Sequence, residues 1–180
     1  RVLDMLNVKY IIDLNESGNI ELKINEDVMG SAWFVDEVQK VTDSNQELLG
    51  LSSIDYKKTC LSTNLNNKTY PDSSENYIEI VDKRANQITY KVSSNDTGFV
   101  VFSEAFYKNG WVAKINGEVT DIHKVNYLLR GLEVEGGEHE IVFTFEPNVI
   151  KTGTLLMASS NILLLILVFF SFRNMIKNVQ

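Results

Sequence analysis

The sequence predicts a mostly β protein: an antiparallel β-sandwich of the jelly-roll or immunoglobulin-like type, with a small α+β N-terminal lobe and one C-terminal transmembrane helix. Three observations lead to this prediction. Residues 77–147 contain short runs rich in β-branched and aromatic residues, separated by turn-forming residues. Residues 152–172 form an apolar run without a charged residue. Residues 1–60 mix strand-like runs with one helical segment.

The N-terminal lobe is expected over residues 1–60. Its predicted strands are residues 8–14, 20–24 and 32–41, the first two joined by a turn over 15–19. Ser44 and Glu47 have the spacing of a capping box, in which each side chain bonds the other residue's backbone amide. We therefore expect a short helix over about 45–53.

A polar segment follows the lobe. Residues 56–76 are rich in Asn and Ser and contain Pro71 and Asp72, a composition typical of loops. We expect a linker or loop over 61–76 between the lobe and the sandwich.

The sandwich is expected over residues 77–147. Its predicted strands are residues 77–84, 87–93, 98–104, 111–115, 118–123, 127–134 and 138–145. The strongest hairpin signal is Asn116-Gly117, because both residues tolerate the positive φ of a type I′ turn. Gly136-Gly137 predicts a second hairpin turn.

The apolar run over 152–172 predicts a membrane span. As a helix it would rise about 32 Å, which matches a hydrocarbon core of roughly 30 Å. Ser159, Ser160 and Asn161 lie within it, and such polar side chains favour a neighbouring helix over lipid. We therefore expect the span to pack beside further transmembrane helices.

Charge predicts the orientation of this span. The predicted tail, residues 173–180, carries two basic residues and no acid, whereas residues 1–151 carry all 24 acidic residues. The positive-inside rule places the tail in the cytoplasm and residues 1–151 outside. No signal sequence precedes the domain, so we expect an upstream segment with a signal or further spans.

Several classes of function are disfavoured by composition. The formal net charge of −7 disfavours nucleic acid as a partner. A single Cys, Cys60, excludes an internal disulfide framework and a multi-cysteine metal site. His123 and His139 are isolated, and no nucleophile-elbow or nucleotide-binding motif occurs. We expect no catalytic residue, metal site or cofactor in this segment.

Two short stretches supply candidate glycan-binding residues. Aromatic side chains on a loop rim stack on sugar rings, and Asn, Lys and Arg supply hydrogen bonds. The candidates are Tyr107, Asn109, Trp111, Asn126 and Arg130. The alternative is that Tyr107 and Trp111 flank a turn as packed residues and that Arg130 forms an intramolecular salt bridge.

Four stretches of the sequence carry a family resemblance: LDMLNVKYII, ANQITYKVSSNDTGFVVFSEAFYKNGWVAKINGE, VNYLLRGLEVEGGEHEIVFTFEP and the final hydrophobic helix. Together they resemble the C-terminal end of the bacterial YfhO-type membrane proteins. The resemblance spans almost the whole chain and is least over about 15–30 and 56–76.

The resemblance implies a place in a larger enzyme. YfhO-type proteins are similar to polytopic envelope glycosyltransferases of the C superfamily, which use lipid-phosphate-linked sugars. Their catalytic acids are expected on an outer loop between N-terminal spans, so no catalytic residue carries over to this sequence. What carries over is an extracytoplasmic accessory domain anchored in the bacterial cytoplasmic membrane by the last span.

The expected partners follow from that place. They are the lipid bilayer, the remaining transmembrane helices, and an envelope glycan or lipid-linked sugar. A non-enzymatic envelope binding or assembly module is the alternative, because strands with exposed edges also suit a protein partner.

Overall fold

The computed structural model describes residues 1–15 and 18–177. The helices are α1 (Val2–Met5), α2 (Ser44–Gly50) and α3 (Asn148–Lys177). The strands of the N-terminal part are β1 (Tyr10–Leu14), β2 (Ile20–Ile24), β3 (Ala32–Val35), β4 (Glu37–Lys40), β5 (Thr59–Ser62) and β6 (Lys68–Thr69). The remaining strands are β7 (Tyr77–Arg84), β8 (Gln87–Ser94), β9 (Gly98–Ala105), β10 (Trp111–Ile115), β11 (Glu118–Thr120), β12 (His123–Val125), β13 (Leu129–Val134) and β14 (Gly137–Phe145).

Two antiparallel sheets form the sandwich. One has the strand order β11-β10-β14-β8-β7, and the other has the order β12-β13-β9-β3. The core between them contains buried apolar side chains from both sheets, including Tyr90, Phe102, Leu132 and Phe143. The predicted mostly β, antiparallel fold is confirmed.

The four-stranded sheet is buried on both faces. Along β9, Val100 and Phe102 belong to the core between the two sheets. Phe99 and Val101 belong to a second core, against the N-terminal part of the chain. This division follows from the period of two in a β-strand, and it explains why β9 is a continuous apolar run.

The N-terminal part forms the layer on the outer side of the four-stranded sheet. Its three-stranded sheet has the order β5-β4-β6, in which β4 and β5 run parallel. The predicted strand over 32–41 is interrupted at Asp36, so that β3 joins the sandwich and β4 joins the small sheet. The boundaries of the predicted segments stay a prediction. The polar segment 56–76, in which the linker or loop over 61–76 was expected, contains β5 and β6.

Helix α2 begins one residue earlier than the capping-box prediction required. The N-cap is Asp43, whose Oδ1 accepts hydrogen bonds from the backbone amides of Asn45 and Gln46 at 2.8 and 2.9 Å. Glu47 is instead fully buried, with its Oε2 3.0 Å from Nζ of Lys124. The capping box was the wrong interpretation because a carboxylate at position 43 is an equally good cap.

Within the sandwich, one predicted turn is found, and one predicted turn and one predicted strand differ from the structure. The hairpin at Asn116-Gly117 joins β10 to β11, with φ values of 51° and 88°. Gly136-Gly137 was predicted to close a hairpin, but it joins β13 and β14, which lie in different sheets. The strand predicted over 118–123 is divided into β11 and β12, which also lie in different sheets.

The β1–β2 hairpin lies apart from both cores. Its strands pair as predicted, with Tyr10 opposite Ile24 and Leu14 opposite Ile20. Nearly all of its side chains are exposed. The centre of its predicted turn, residues 16 and 17, lies outside the described residues.

Helix α3 contains the predicted membrane span. Residues Asn148–Ser171 are long and apolar enough to cross a membrane, by length and composition. The helix begins directly after Pro147, and thus close to the end of β14. Of the predicted tail, residues 178–180 lie outside the described residues.

Candidate functional site

An aromatic cluster lies at the end of the sandwich from which α3 emerges. Trp111, the first residue of β10, pairs with Phe145, the last residue of β14. The ring centroids of these two residues are 5.3 Å apart, and the ring of Tyr107 lies 6.4 Å from that of Phe145. Because α3 begins at Asn148, the cluster lies within a few residues of the membrane span.

Gly110 allows this cluster to form. A Cβ atom at position 110 would lie 2.2 Å from Cε2 of Phe145, which is far inside van der Waals contact. The carbonyl of Gly110 also accepts a hydrogen bond from the backbone amide of Glu146 at 2.7 Å. The loop before β10 is therefore closed against the end of β14.

A shallow groove of about 350 Å³ runs beside the cluster. One wall is formed by Phe106, Tyr107, Lys108 and Trp111, and the other by residues 119–122. Tyr107 is 56% exposed, and Trp111 is half-buried, so each presents part of its ring to solvent. An exposed aromatic ring beside a lysine suits a sugar ring with an anionic substituent.

Of the predicted candidates, Tyr107 and Trp111 line this groove, and Asn109 is exposed on the same loop. Arg130 and Asn126 occupy different environments, and both are only 2% exposed. The structure therefore brings three candidates to the surface and places two inside the protein.

Arg130 lies behind Trp111. Its guanidinium carbon is 4.2 Å from the centroid of the Trp111 indole and 5.2 Å from that of Phe143. Its Nε donates a hydrogen bond to the carbonyl of Ala105 at 2.9 Å, and one terminal nitrogen is buried without a hydrogen-bond partner. Burial lowers the pKa of Arg130, and the nearby Glu104 acts in the opposite direction.

The intramolecular salt bridge expected for Arg130 is not found among the described residues. The nearby carboxylate of Glu104 instead pairs with Lys83, at 2.8 Å between Oε1 and Nζ. Arg130 is held by aromatic faces and a backbone carbonyl, the arrangement that the planar guanidinium favours.

Asn126 is buried, and its contacts are with residues of the N-terminal layer. Its Oδ1 accepts from the backbone amide of Leu61 at 2.9 Å, and its own backbone amide donates to the Leu61 carbonyl at 2.8 Å. Its side-chain amide contacts Sδ of Met5 at 3.4 Å. All of its polar side-chain atoms are thus used within the protein.

A second polar groove, of about 280 Å³, lies between β6 and β13 and was not identified in the sequence. Oε2 of Glu133 accepts hydrogen bonds from Nζ of Lys68 at 2.6 Å and from the hydroxyl of Tyr70 at 2.7 Å. Burial acts to raise the pKa of Glu133, but these two hydrogen bonds outweigh it and the pKa is lowered. Glu133 is more than 60 residues away in the sequence from Lys68 and Tyr70, so no local motif indicates the groove.

Other candidate chemistry is limited. Cys60 is fully buried, and burial raises the pKa of its thiol, so it is a poor nucleophile. Over residues 1–15 and 18–177, no three His, Cys, Asp or Glu side chains are grouped so that they could hold a metal ion.

Comparison with known proteins gives one match. The family model described as "Bacterial membrane protein YfhO" matches residues 49–157, which include the groove beside Trp111, most of the groove at Glu133 and the beginning of α3. No curated protein and no solved structure matches the chain. The match covers more than half of the sequence and confirms the resemblance stated above, so the chain belongs to the YfhO family of bacterial membrane proteins.

Proposed function

We propose that this chain is the extracytoplasmic accessory domain and last membrane span of a glycosyltransferase that uses lipid-linked sugars to modify envelope polymers. In this proposal, the groove beside Tyr107 and Trp111 binds the sugar of the lipid-linked donor or of the acceptor. The observation that carries the proposal is the position of this aromatic groove beside the beginning of α3.

The depth of the groove suits a lipid-linked sugar. The apolar run of the span begins at residue 152, about 6 Å along the helix from Asn148 at 1.5 Å per residue. The groove therefore lies near the level of the lipid head groups. The phosphate and sugar of a polyprenyl-phosphate sugar lie at the same level, because only the polyprenyl chain enters the hydrocarbon core.

The chemistry of the groove supports the same substrate class. The exposed ring of Tyr107 and the partly exposed indole of Trp111 offer apolar faces for a pyranose ring. Lys108, which is exposed on the same wall, offers a positive charge for the phosphate. Arg130 supports the indole from behind and does not reach the groove.

The extracytoplasmic placement rests on charge. The basic residues after the span and the acidic excess before it favour a cytoplasmic C-terminus. Cysteine accessibility tests this placement: Asn109→Cys in intact cells should react with a membrane-impermeant maleimide. Labelling only after the cells are broken would contradict it.

The groove is tested with the full chain in lipid nanodiscs, labelled with 5-fluorotryptophan. The two tryptophans give separate ¹⁹F signals, and Trp33 is an internal control because it is buried in the other core. Titration with a short polyprenyl-phosphate sugar should shift the Trp111 signal saturably, and polyprenyl phosphate without a sugar, which can contact only Lys108, should shift it clearly less. The Tyr107→Ala variant should weaken the response.

Two outcomes would contradict the sugar site. Equal shifts with both lipids would indicate that the groove binds only the phosphate or the lipid. No shift with either would place sugar recognition elsewhere in the parent protein and favour the non-enzymatic binding or assembly module. In the complete protein, Trp111→Ala should reduce sugar transfer without reducing the protein level.

A further inference from the structure

One face of the β1–β2 hairpin is entirely apolar. The register places Tyr10 opposite Ile24, Ile12 opposite Leu22 and Leu14 opposite Ile20, all on one side of the two strands. These six side chains are between 57% and 78% exposed. The other face carries Asp13, Glu21 and Lys23, with an ion pair of 3.0 Å between Asp13 and Lys23.

The size of this face indicates that something covers it. Its exposed area is on the order of 700 Å², above the 300–600 Å² typical of the largest apolar patch on a soluble monomer. A two-stranded hairpin is also marginally stable in water unless it packs against another surface. Among the described residues, neither core of the protein includes these six side chains.

The base of the hairpin is fixed to the rest of the protein. The side-chain amide of Asn25 donates to Oδ1 of Asp4 at 2.8 Å and to the carbonyl of Val8 at 3.1 Å. The backbone amide of Asn25 donates to the carbonyl of Lys9 at 2.9 Å, which closes the hairpin. The hairpin is therefore held at its base on α1.

This base lies at the end of the sandwich from which α3 emerges. The segment after the hairpin runs along Ser103, whose amide donates to the Ser31 carbonyl at 2.9 Å. Ser103 lies close to the end of β9, and the loop that follows β9 leads directly to Trp111 and thus to the aromatic cluster at the foot of the span. The base of the hairpin and the beginning of the membrane span consequently lie at the same end of the molecule.

We infer that the apolar face of the β1–β2 hairpin lies on the lipid bilayer, beside the membrane span. The base of the hairpin lies at the end of the sandwich where α3 begins, and α3 is apolar enough to cross a membrane. Tyr10 and Lys9 at its base are residue types that favour the membrane interface, and the charged side chains point away from the apolar face. This inference does not depend on the proposed sugar site or on the side of the membrane.

A second copy of the chain is the competing occupant. Two such faces packed together would bury an area within the range of ordinary protein interfaces. Each chain carries a formal net charge of −7, however, and like charge opposes self-association. The bilayer needs no second copy, because the base of the hairpin lies at the end of the sandwich where the span begins.

The inference is tested with a depth-sensitive fluorescent label on the full chain in lipid vesicles. Cys60 is buried, so a cysteine added at the hairpin is the only one that a maleimide reaches. The test variant is Leu22→Cys and its matched control is Glu21→Cys, the neighbouring residue on the opposite face. Both are labelled with the fluorophore NBD, in vesicles with and without nitroxide-labelled lipids.

The label at position 22 should emit at shorter wavelength and should be quenched at least threefold more strongly by the nitroxide lipids than the label at position 21. Ile12→Cys, directly opposite position 22, should behave like Leu22→Cys. Two results would overturn the inference. One is a water-like emission from position 22. The other is a shielded label that nitroxide lipids do not quench but a spin-labelled second copy does, which would assign the face to a dimer.

Discussion

The guanidinium carbon of Arg130 lies 4.2 Å from the centroid of the Trp111 indole, so that the buried cation packs against one face of this ring. The indole is half-buried and its other side contributes to the groove. Arg130 therefore acts on the groove through Trp111, by holding the ring in place. One of its terminal nitrogens makes no hydrogen bond, so the hydrogen-bonding capacity of the buried guanidinium is only partly used.

This arrangement predicts that volume at position 130 matters more than charge. Arg130→Ala should lower the free energy of unfolding by about 3 kcal/mol, because it leaves a cavity beneath Trp111. Arg130→Met should remain within about 1 kcal/mol of wild type, because it fills the space and removes a buried donor without a partner. Denaturant unfolding of the full chain in detergent micelles, followed by circular dichroism, measures both values. Equal losses in the two variants would show that the cation itself is required.

The close approach of Gly110 to Phe145 predicts a second local sensitivity. Gly110→Ala should lower the free energy of unfolding by about 2 kcal/mol, because the added methyl group overlaps the Phe145 ring. It should also shift the ¹⁹F signal of Trp111, which packs on the same ring. Gly153→Ala is the matched control, because a Cβ there meets nothing within 4 Å. An unchanged stability in Gly110→Ala would show that the Phe145 ring moves freely.

Local signals were sufficient to predict much of the fold. The alternating pattern along β8 and β14, the Asn116-Gly117 turn and the uncharged C-terminal run each act over a few residues, and each leads to the structure found. The pairing of β3 with β9, in contrast, depends on a contact between distant parts of the sequence. It joins residues about 67 positions apart, and both strands carry similar apolar patterns, so the sequence does not specify their partners.

The candidate site could be predicted only in part, because some of its residues are positioned by local sequence and others by contacts between distant segments. The loop around Tyr107 is local, and its aromatic composition indicates an exposed rim. The burial of Asn126 depends on Leu61, which lies 65 residues away. Leu61 belongs to β5, a strand in a segment whose composition is typical of a loop. The groove at Glu133 likewise depends on Lys68 and Tyr70, which lie in and beside the unpredicted β6.

The hydrogen bond from the Tyr56 hydroxyl to Asp4 predicts a pH dependence of stability. Burial acts to raise the pKa of Asp4, but its hydrogen bonds, those from Tyr56 and Asn25 among them, outweigh burial and lower the pKa to about 2. A pKa that is lower in the folded state stabilises the protein above the unfolded pKa, near 4. This contribution is lost as the pH falls from about 4 to about 2.

Tyr56→Phe should therefore lower the free energy of unfolding by about 1.5 kcal/mol at pH 7, and the difference from wild type should shrink below pH 4. Tyr77→Phe is the control, because the Tyr77 hydroxyl donates to Glu79 on an exposed strand and should change stability little at either pH. Unfolding at pH 7, 4 and 3 in micelles measures the effect. A constant difference over this range would exclude Asp4 as the titrating partner.

The ion pair between the fully buried Glu47 and the half-buried Lys124 connects α2 to β12, and its two partners should depend strongly on each other. Lys124→Met should lower the free energy of unfolding by about 3 kcal/mol, because the fully buried Glu47 carboxylate loses its only compensating charge among the described residues. The double variant Glu47→Leu/Lys124→Met should recover most of this loss, since it removes both charges and keeps the volume. A double-mutant cycle measures the coupling. Additive losses would show that the two side chains act independently, and Glu47 would then be compensated by another group.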